Sequence, residues 1–278
     1  VGLKDLFRLQ ESFQDDVVAD FAAALSASLS QARAETLLDL REKLDLLPGE
    51  PIPKTPKNVR TMAALDKVFK KKMRDAGYYA AVADFTSQFN TQFTFFEQVL
   101  DELSRSLQIP LPEPVWTESD LSVLRAQQAV TVAGLNAALG DMSQAVQKRA
   151  LQSVGGLSFT SLTSELETAY RVPRAQAATI AATGLSSFIR SISDVQYNKI
   201  EEAEGAELRF TYGGPRDVLN RDWCQMMLRL AASGQTWTRK QILGMVTNPL
   251  RGANQPPDVF TTCGGWNCRH QFLLASVK

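Results

Sequence analysis

The sequence predicts a mainly α-helical protein that ends in a small α+β module, with long N-terminal helices broken by proline-rich linkers. Three observations predict this. Apolar residues recur at three- and four-residue steps over most of the chain before Gly205. Proline clusters at 47–57 and 109–116 interrupt that pattern. From Glu207 the pattern switches to strand-like alternation. The reading is a helical body over residues 1–205 and a module over residues 206–278.

The 278 residues suffice for one large domain or two ordinary ones, and 44% hydrophobic residues is ordinary globular composition. Basic and acidic residues balance at 30 each, which argues against a general nucleic-acid binder but leaves room for a local basic patch. No apolar run approaches the roughly 20 residues that a membrane span needs. No charged n-region followed by an apolar h-region opens the sequence, so no secretory signal is expected. Three cysteines cannot all pair, which disfavours a secreted disulfide scaffold and favours a reducing compartment or a metal.

In order, Leu3 to Leu46 reads as a long helix with Leu6, Phe7, Leu9, Phe13, Val17, Phe21, Leu25 and Leu29 on one face. Pro48, Pro51, Pro53 and Pro56 predict an extended linker, or an arm lying along a partner. Asn58 to Leu107 is helical with a break at Gly77. Phe85, Phe89, Phe93 and Phe96 form a stripe there, read as a core face or as a face for self-association. Lys67, Lys70, Lys71 and Arg74 form a basic run, read as a solvated helix face or as a contact to DNA phosphates. Pro110, Pro112 and Pro114 make a second stop.

Thr117 and Asp120 resemble a capping box before a helix from Leu121 to Val154 that Gly155-Gly156 ends. Thr160 or Ser161 caps a helix through Tyr170, and Pro173 opens another that runs to about Gly205. In the module, strands are expected at Glu207–Tyr212, Gln235–Trp237, Val259–Thr262 and Gln271–Val277. Helices are expected at Asp222–Ala232 and at Thr238–Met245, with Thr238 as N-cap. Tyr212, Trp223, Trp237, Trp266 and Phe272 would fill the module's core.

All the cysteine and histidine chemistry falls in this module. Cys263 and Cys268 are spaced Cys-x4-Cys, His270 follows as Cys-x-His, and Cys224 completes a Cys3His set of the kind that structural zinc accepts. Gly264-Gly265 allows the tight turn that brings the cysteines together. The alternatives are buried cysteines acting as small hydrophobes, and a Cys268–His270 nucleophilic pair. For the pair, Asp217, Asp222 and Asp258 are the candidates to orient the imidazole. On a strand Arg269 faces away from Cys268 and His270, and it is expected either to pair with Asp217 or Asp222 or to reach a partner.

These residues carry a family resemblance. Phe210-Thr211-Tyr212-Gly213-Gly214-Pro215-Arg216-Asp217, Asn220-Arg221-Asp222-Trp223-Cys224, Gly234-x-x-Trp237-Thr238 and Gly264-Gly265-Trp266-Asn267-Cys268-Arg269-His270 follow one another. The order resembles the C-terminal domain of phage Mu F-like minor head proteins, also called phage head morphogenesis proteins, over roughly Pro173 to Phe272. The resemblance implies a virion protein made in the host cytoplasm. It would act structurally in head assembly, bound to portal or major capsid protein and meeting scaffold and packaged DNA, with no membrane in the assembled head. An internal DNA-binding or ejected protein is the alternative, and a Cys/His-dependent enzyme a more distant one. The family pattern often ends Cys-Arg-Cys with an earlier histidine. Here cysteine and histidine have exchanged places at Cys263 and His270.

Overall fold

An apolar residue at every third or fourth position gives the first helix a continuous inward face, and in the computed structural model α1 runs over Leu3–Lys43. Val17, Phe21, Leu25, Leu29 and Leu40 on that face are buried. The structure describes residues 3–108, 111, 113–205, 207–252, 255, 257–266 and 268–277, with the backbone alone at 3–7, 170–173 and 203–204. Pro110, Pro112 and Asn267, and the side chains of Leu6, Phe7 and Pro173, lie outside the described residues.

The helical stretch predicted from Asn58 divides more often than at Gly77. It forms α2 (Pro56–Ala63), α3 (Leu65–Asp75), α4 (Tyr78–Ser87) and α5 (Thr91–Leu107). Then follow α6 (Glu118–Ser153) and α7 (Phe159–Glu204). The Thr117–Asp120 capping box forms, with the Thr117 amide donating to Asp120 Oδ2 at 2.7 Å and the Asp120 amide to Thr117 Oγ1 at 3.2 Å. The helix predicted to begin at Pro173 does not start there. α7 continues through position 173, and it begins after Ser158, whose hydroxyl accepts the Ser161 amide at 3.2 Å. A lost amide at one proline is outweighed by the other bonds of a 46-residue helix.

The chain forms two compact units, residues 1–17, 87–130 and 182–278, and residues 18–86 and 131–181. The second unit closes around Tyr78, whose hydroxyl donates to the Leu135 carbonyl at 2.7 Å, and around the Phe21–Phe85 ring pair at 5.0 Å. Its proline-rich segment is held by this chain itself. The Ile52 amide donates to the Leu157 carbonyl at 2.9 Å, the Gly155 amide to the Ile52 carbonyl at 2.7 Å, and Ile52 is fully buried. Asn58, also buried, donates to the Pro53 carbonyl and accepts the Asp45 amide, both at 2.9 Å.

The first unit contains β1 (Leu208–Gly213), α8 (Asp222–Ala232), β2 (Trp237–Thr238), α9 (Arg239–Leu243), α10 (Val259–Thr262) and β3 (Gln271–Val277). The strands form one antiparallel sheet in the order β2-β1-β3, with Tyr212 opposite Phe272 and a bulge between Arg209 and Phe210. Leu208, Phe210 and Tyr212 of β1 point inward, as alternation predicts. Thr238 caps α9 in a capping box with Gln241. Val259–Thr262 is helical rather than a strand, because Asp258 Oδ1 accepts the Phe260 amide at 3.0 Å and caps the turn. Among the described residues, no helix is long and apolar enough to cross a membrane.

The phenylalanine stripe is internal. Phe89 meets Phe188 at 4.7 Å and Phe96 meets Tyr197 at 5.9 Å between ring centroids, while half-buried Phe93 packs edge-on to Trp116 at 4.9 Å. Phe85, Phe89 and Phe96 are buried, so the self-association face expected of Phe85, Phe89, Phe93 and Phe96 is used up within the fold. Accordingly, Phe89→Ala should destabilise the protein by roughly 3–5 kcal/mol in denaturant unfolding, with sedimentation unchanged. A change in oligomeric state without loss of stability would return the stripe to the surface.

Candidate functional site

The described residues between α10 and β3 have no strand partner, so their carbonyls, and that of Thr261 in the single turn of α10, need other donors. Three arginines supply them. Arg190 on α7, itself 4% exposed, donates through Nε to the His270 carbonyl at 2.8 Å and through one terminal nitrogen to the Thr261 carbonyl at 3.0 Å. Its other terminal nitrogen donates to the Cys268 carbonyl. Arg251 Nε donates to the Cys263 carbonyl at 2.9 Å. Arg221, preceding α8, donates to the carbonyls of Gly264, at 2.9 Å, and of Trp266. With the backbone so held, the Cys268 and His270 side chains turn together towards Cys224 of α8.

Cys224 Sγ lies 3.8 Å from Cys268 Sγ, and Cys268 Sγ lies 3.6 Å from His270 Nδ1. The ligand atoms of Cys224, Cys268 and His270 all fall within 4.8 Å of one another. Gly264 makes the approach possible, since a Cβ there would stand 2.6 Å from Cys224 Sγ and 3.2 Å from Cys268 Sγ. The Gly264 amide donates to Cys268 Sγ at 3.3 Å and the Tyr212 hydroxyl to Cys224 Sγ at 3.5 Å.

The imidazole is oriented by backbone rather than by a carboxylate. Its Nε2 lies 2.9 Å from the Pro215 carbonyl, which can only accept, so the proton sits on Nε2 and the Nδ1 lone pair faces Cys268. Gly214, at φ +145°, allows that approach, because a Cβ would meet His270 Cδ2 at 2.6 Å. Tyr212 stacks on the ring at 5.3 Å and 7°. None of the three aspartates considered as orienters takes that role: Asp217 pairs with Arg269, Asp222 opens α8 and Asp258 caps α10.

Cys263 does not join the cluster. It is fully buried, its Sγ is 3.7 Å from the Phe260 carbonyl, and burial pushes its thiol up to about 12. The expected Cys3His set of Cys224, Cys263, Cys268 and His270 is therefore a set of three, with Cys263 directed elsewhere. The hydrogen bond between the two sulfurs holds Cys268 below the ordinary thiol range and, together with burial, raises Cys224.

The cluster borders a cleft of about 210 Å³ lined by Leu219, Arg221, Cys224, Cys268, Arg269 and His270. Trp266 is 51% exposed and so is not core, whereas Trp223, Trp237, Tyr212 and Phe272 are buried. Val218 and Leu219 are also exposed. Arg221 falls in one of the motif stretches, whereas Arg190 and Arg251 fall in none, and what distinguishes these two is a charge buried to a few per cent exposure.

In the other unit, the basic run is laced with acids. Lys70 pairs with Asp66 at 3.0 Å, Lys71 with Asp75 at 2.6 Å, and Arg74 lies over the Tyr79 ring at 5.7 Å. Lys67 is exposed beside them. A surface with this balance offers phosphates little net charge.

Comparison of the chain with protein-family models, curated proteins and solved structures returned no match.

Arg190→Gln leaves carbonyls of Thr261, Cys268 and His270 without donors, and should lower stability by roughly 3 kcal/mol or more, with faster amide exchange across β3. The Arg269 hydrogen bond holds Asp217 below the ordinary carboxylate range. Its contribution is complete above the unfolded value of about 3.9 and is lost as pH falls through the lower folded value. The Leu219 amide, which donates to Asp217 Oδ1 at 2.9 Å, should therefore titrate by NMR with a midpoint below about 3.9.

Proposed function

We propose that this chain is a minor head protein of a tailed bacteriophage, with a structural role in head assembly at the portal vertex or capsid interior. The observation that carries the reading is the convergence of the motif stretches that resemble the Mu F-like module. Tyr212 packs against Trp223 at 5.3 Å and stacks on His270, Arg221 holds the Gly264 and Trp266 carbonyls, and Asp217 pairs with Arg269. Stretches from 210 to 270 that were separate in sequence act on one another in a single folded element, as expected of a module selected as a unit.

In this reading the module anchors and the long helices supply the contacts. Portal and major capsid proteins are the partners, and scaffold and packaged DNA are neighbours during assembly. Leu219, exposed and apolar on the wall of the arginine-lined cleft, with Val218 and Trp266 also exposed, has the composition of a docking patch. The ion pairing of Lys70 and Lys71 weakens the alternative of an internal DNA-binding protein.

Tagged full-length chain, expressed with head and portal proteins, should co-purify with portal protein or procapsids. Leu219→Asp should reduce that retention at least tenfold while the far-ultraviolet spectrum stays unchanged. No retention by either partner, together with complete and infectious particles formed without this chain, would reject the proposal. DNA retention that falls steeply with salt, without portal binding, would select the DNA-binding alternative instead.

A further inference from the structure

We infer that Cys224, Cys268 and His270 form a three-ligand zinc site whose fourth coordination position opens into the adjoining cleft and takes an anionic donor from outside the set. Two of the three edge lengths fit the ion, and the third, from Cys224 to His270, is within 4.8 Å. Zinc bonds of about 2.3 Å to sulfur and about 2.05 Å to nitrogen at tetrahedral angles require S···S near 3.8 Å and S···N near 3.6 Å. The observed Cys224–Cys268 and Cys268–His270 separations are 3.8 Å and 3.6 Å.

The surroundings fit as well. His270 presents the Nδ1 lone pair because Nε2–H is committed to the Pro215 carbonyl, the outer-shell support typical of a metal-bound imidazole. Each sulfur already accepts a hydrogen bond, Cys268 from the Gly264 amide and Cys224 from the Tyr212 hydroxyl. Gly264 keeps the space beside both sulfurs free of a side chain. Two thiolates with one imidazole select zinc over the harder divalent cations.

Two neighbours compete for the fourth position, and neither fits it. Cys263 points to the Phe260 carbonyl and lies outside the ligand triangle. The Tyr212 hydroxyl is as close to the sulfurs as a ligand would be, 3.5 and 3.8 Å, but it is buried and does not line the cleft, whereas all three ligand residues do. An ion on the cleft side is therefore closed by something that enters the cleft. Two thiolates and Zn²⁺ sum to zero charge; Arg269 on the wall is paired with Asp217, but Arg221, bonded to backbone carbonyls, favours an anion: hydroxide in the isolated protein, or a carboxylate supplied by a docked segment. This inference does not rest on the head-protein reading.

The test uses the full chain loaded with cobalt(II) in place of zinc. One equivalent should bind and give a tetrahedral spectrum with the charge-transfer intensity of two thiolates, and inorganic azide should shift its visible bands. Cys263→Ser should keep the equivalent and the azide response. Tyr212→Phe should keep both with affinity lowered about tenfold. His270→Ala and Cys268→Ser, with folding checked by circular dichroism, should lose the metal. The inference is overturned by absence of metal binding, by a Cys224–Cys268 disulfide in freshly prepared protein, by loss of metal on Cys263→Ser, or by a cobalt spectrum indifferent to azide.

Discussion

A buried guanidinium is tolerated only when its donors are satisfied, and Arg190 meets that condition by gathering the carbonyls of Thr261, Cys268 and His270. The dependence is mutual. The Thr261 carbonyl is in the single turn of α10, and those of Cys268 and His270 sit where the chain has left α10 and not yet entered β3. Helix α7 thereby fixes the backbone on which Cys268 and His270 stand. Arg251 and Arg221 extend the same device to Cys263, Gly264 and Trp266. Charged donors here take the place of a strand ladder.

On that frame the cluster assembles from three sources. Cys224 comes from a helix, Cys268 and His270 from the arginine-held segment, and the covering ring of Tyr212 from the central strand β1. The aromatic layer continues through Phe272, Phe260 and Phe210 to Tyr197 of α7. Arg239 seals its edge, lying 4.5 Å from the Phe260 ring and paired with Asp194 and Glu201. Cluster and core are thus continuous, and the cleft is the opening to solvent that the ligand residues share.

The helices were legible in the sequence because their periodicity is long, β1 because its residues alternate, and β3 because Phe272 to Ala275 make a short apolar run. The short elements were less so. Val259–Thr262 has strand-forming residues, and its helical turn follows from one cap at Asp258. Ile52 reads as part of a linker, yet two backbone bonds to residues 155 and 157 make it core. At the site, residue types announced Cys224, Cys268 and His270. Spacing alone counted Cys263 with them and assigned Trp266 to the core, because it carries no information on where a side chain points. The role of Pro215 was illegible for another reason: its carbonyl is a property every residue has.

The arginine-held segment also bears on when the protein can fold during synthesis. Arg190 must wait for residues 261–270, and Gln10 on the first helix contacts Gln271, so contacts made early in the chain are completed only after the last strand has been made. Until then the guanidinium of Arg190 lacks its carbonyls and one edge of β1 lacks its strand. The pairing of β3 with β1, and the satisfaction of Arg190, therefore belong to the last stage of folding during synthesis.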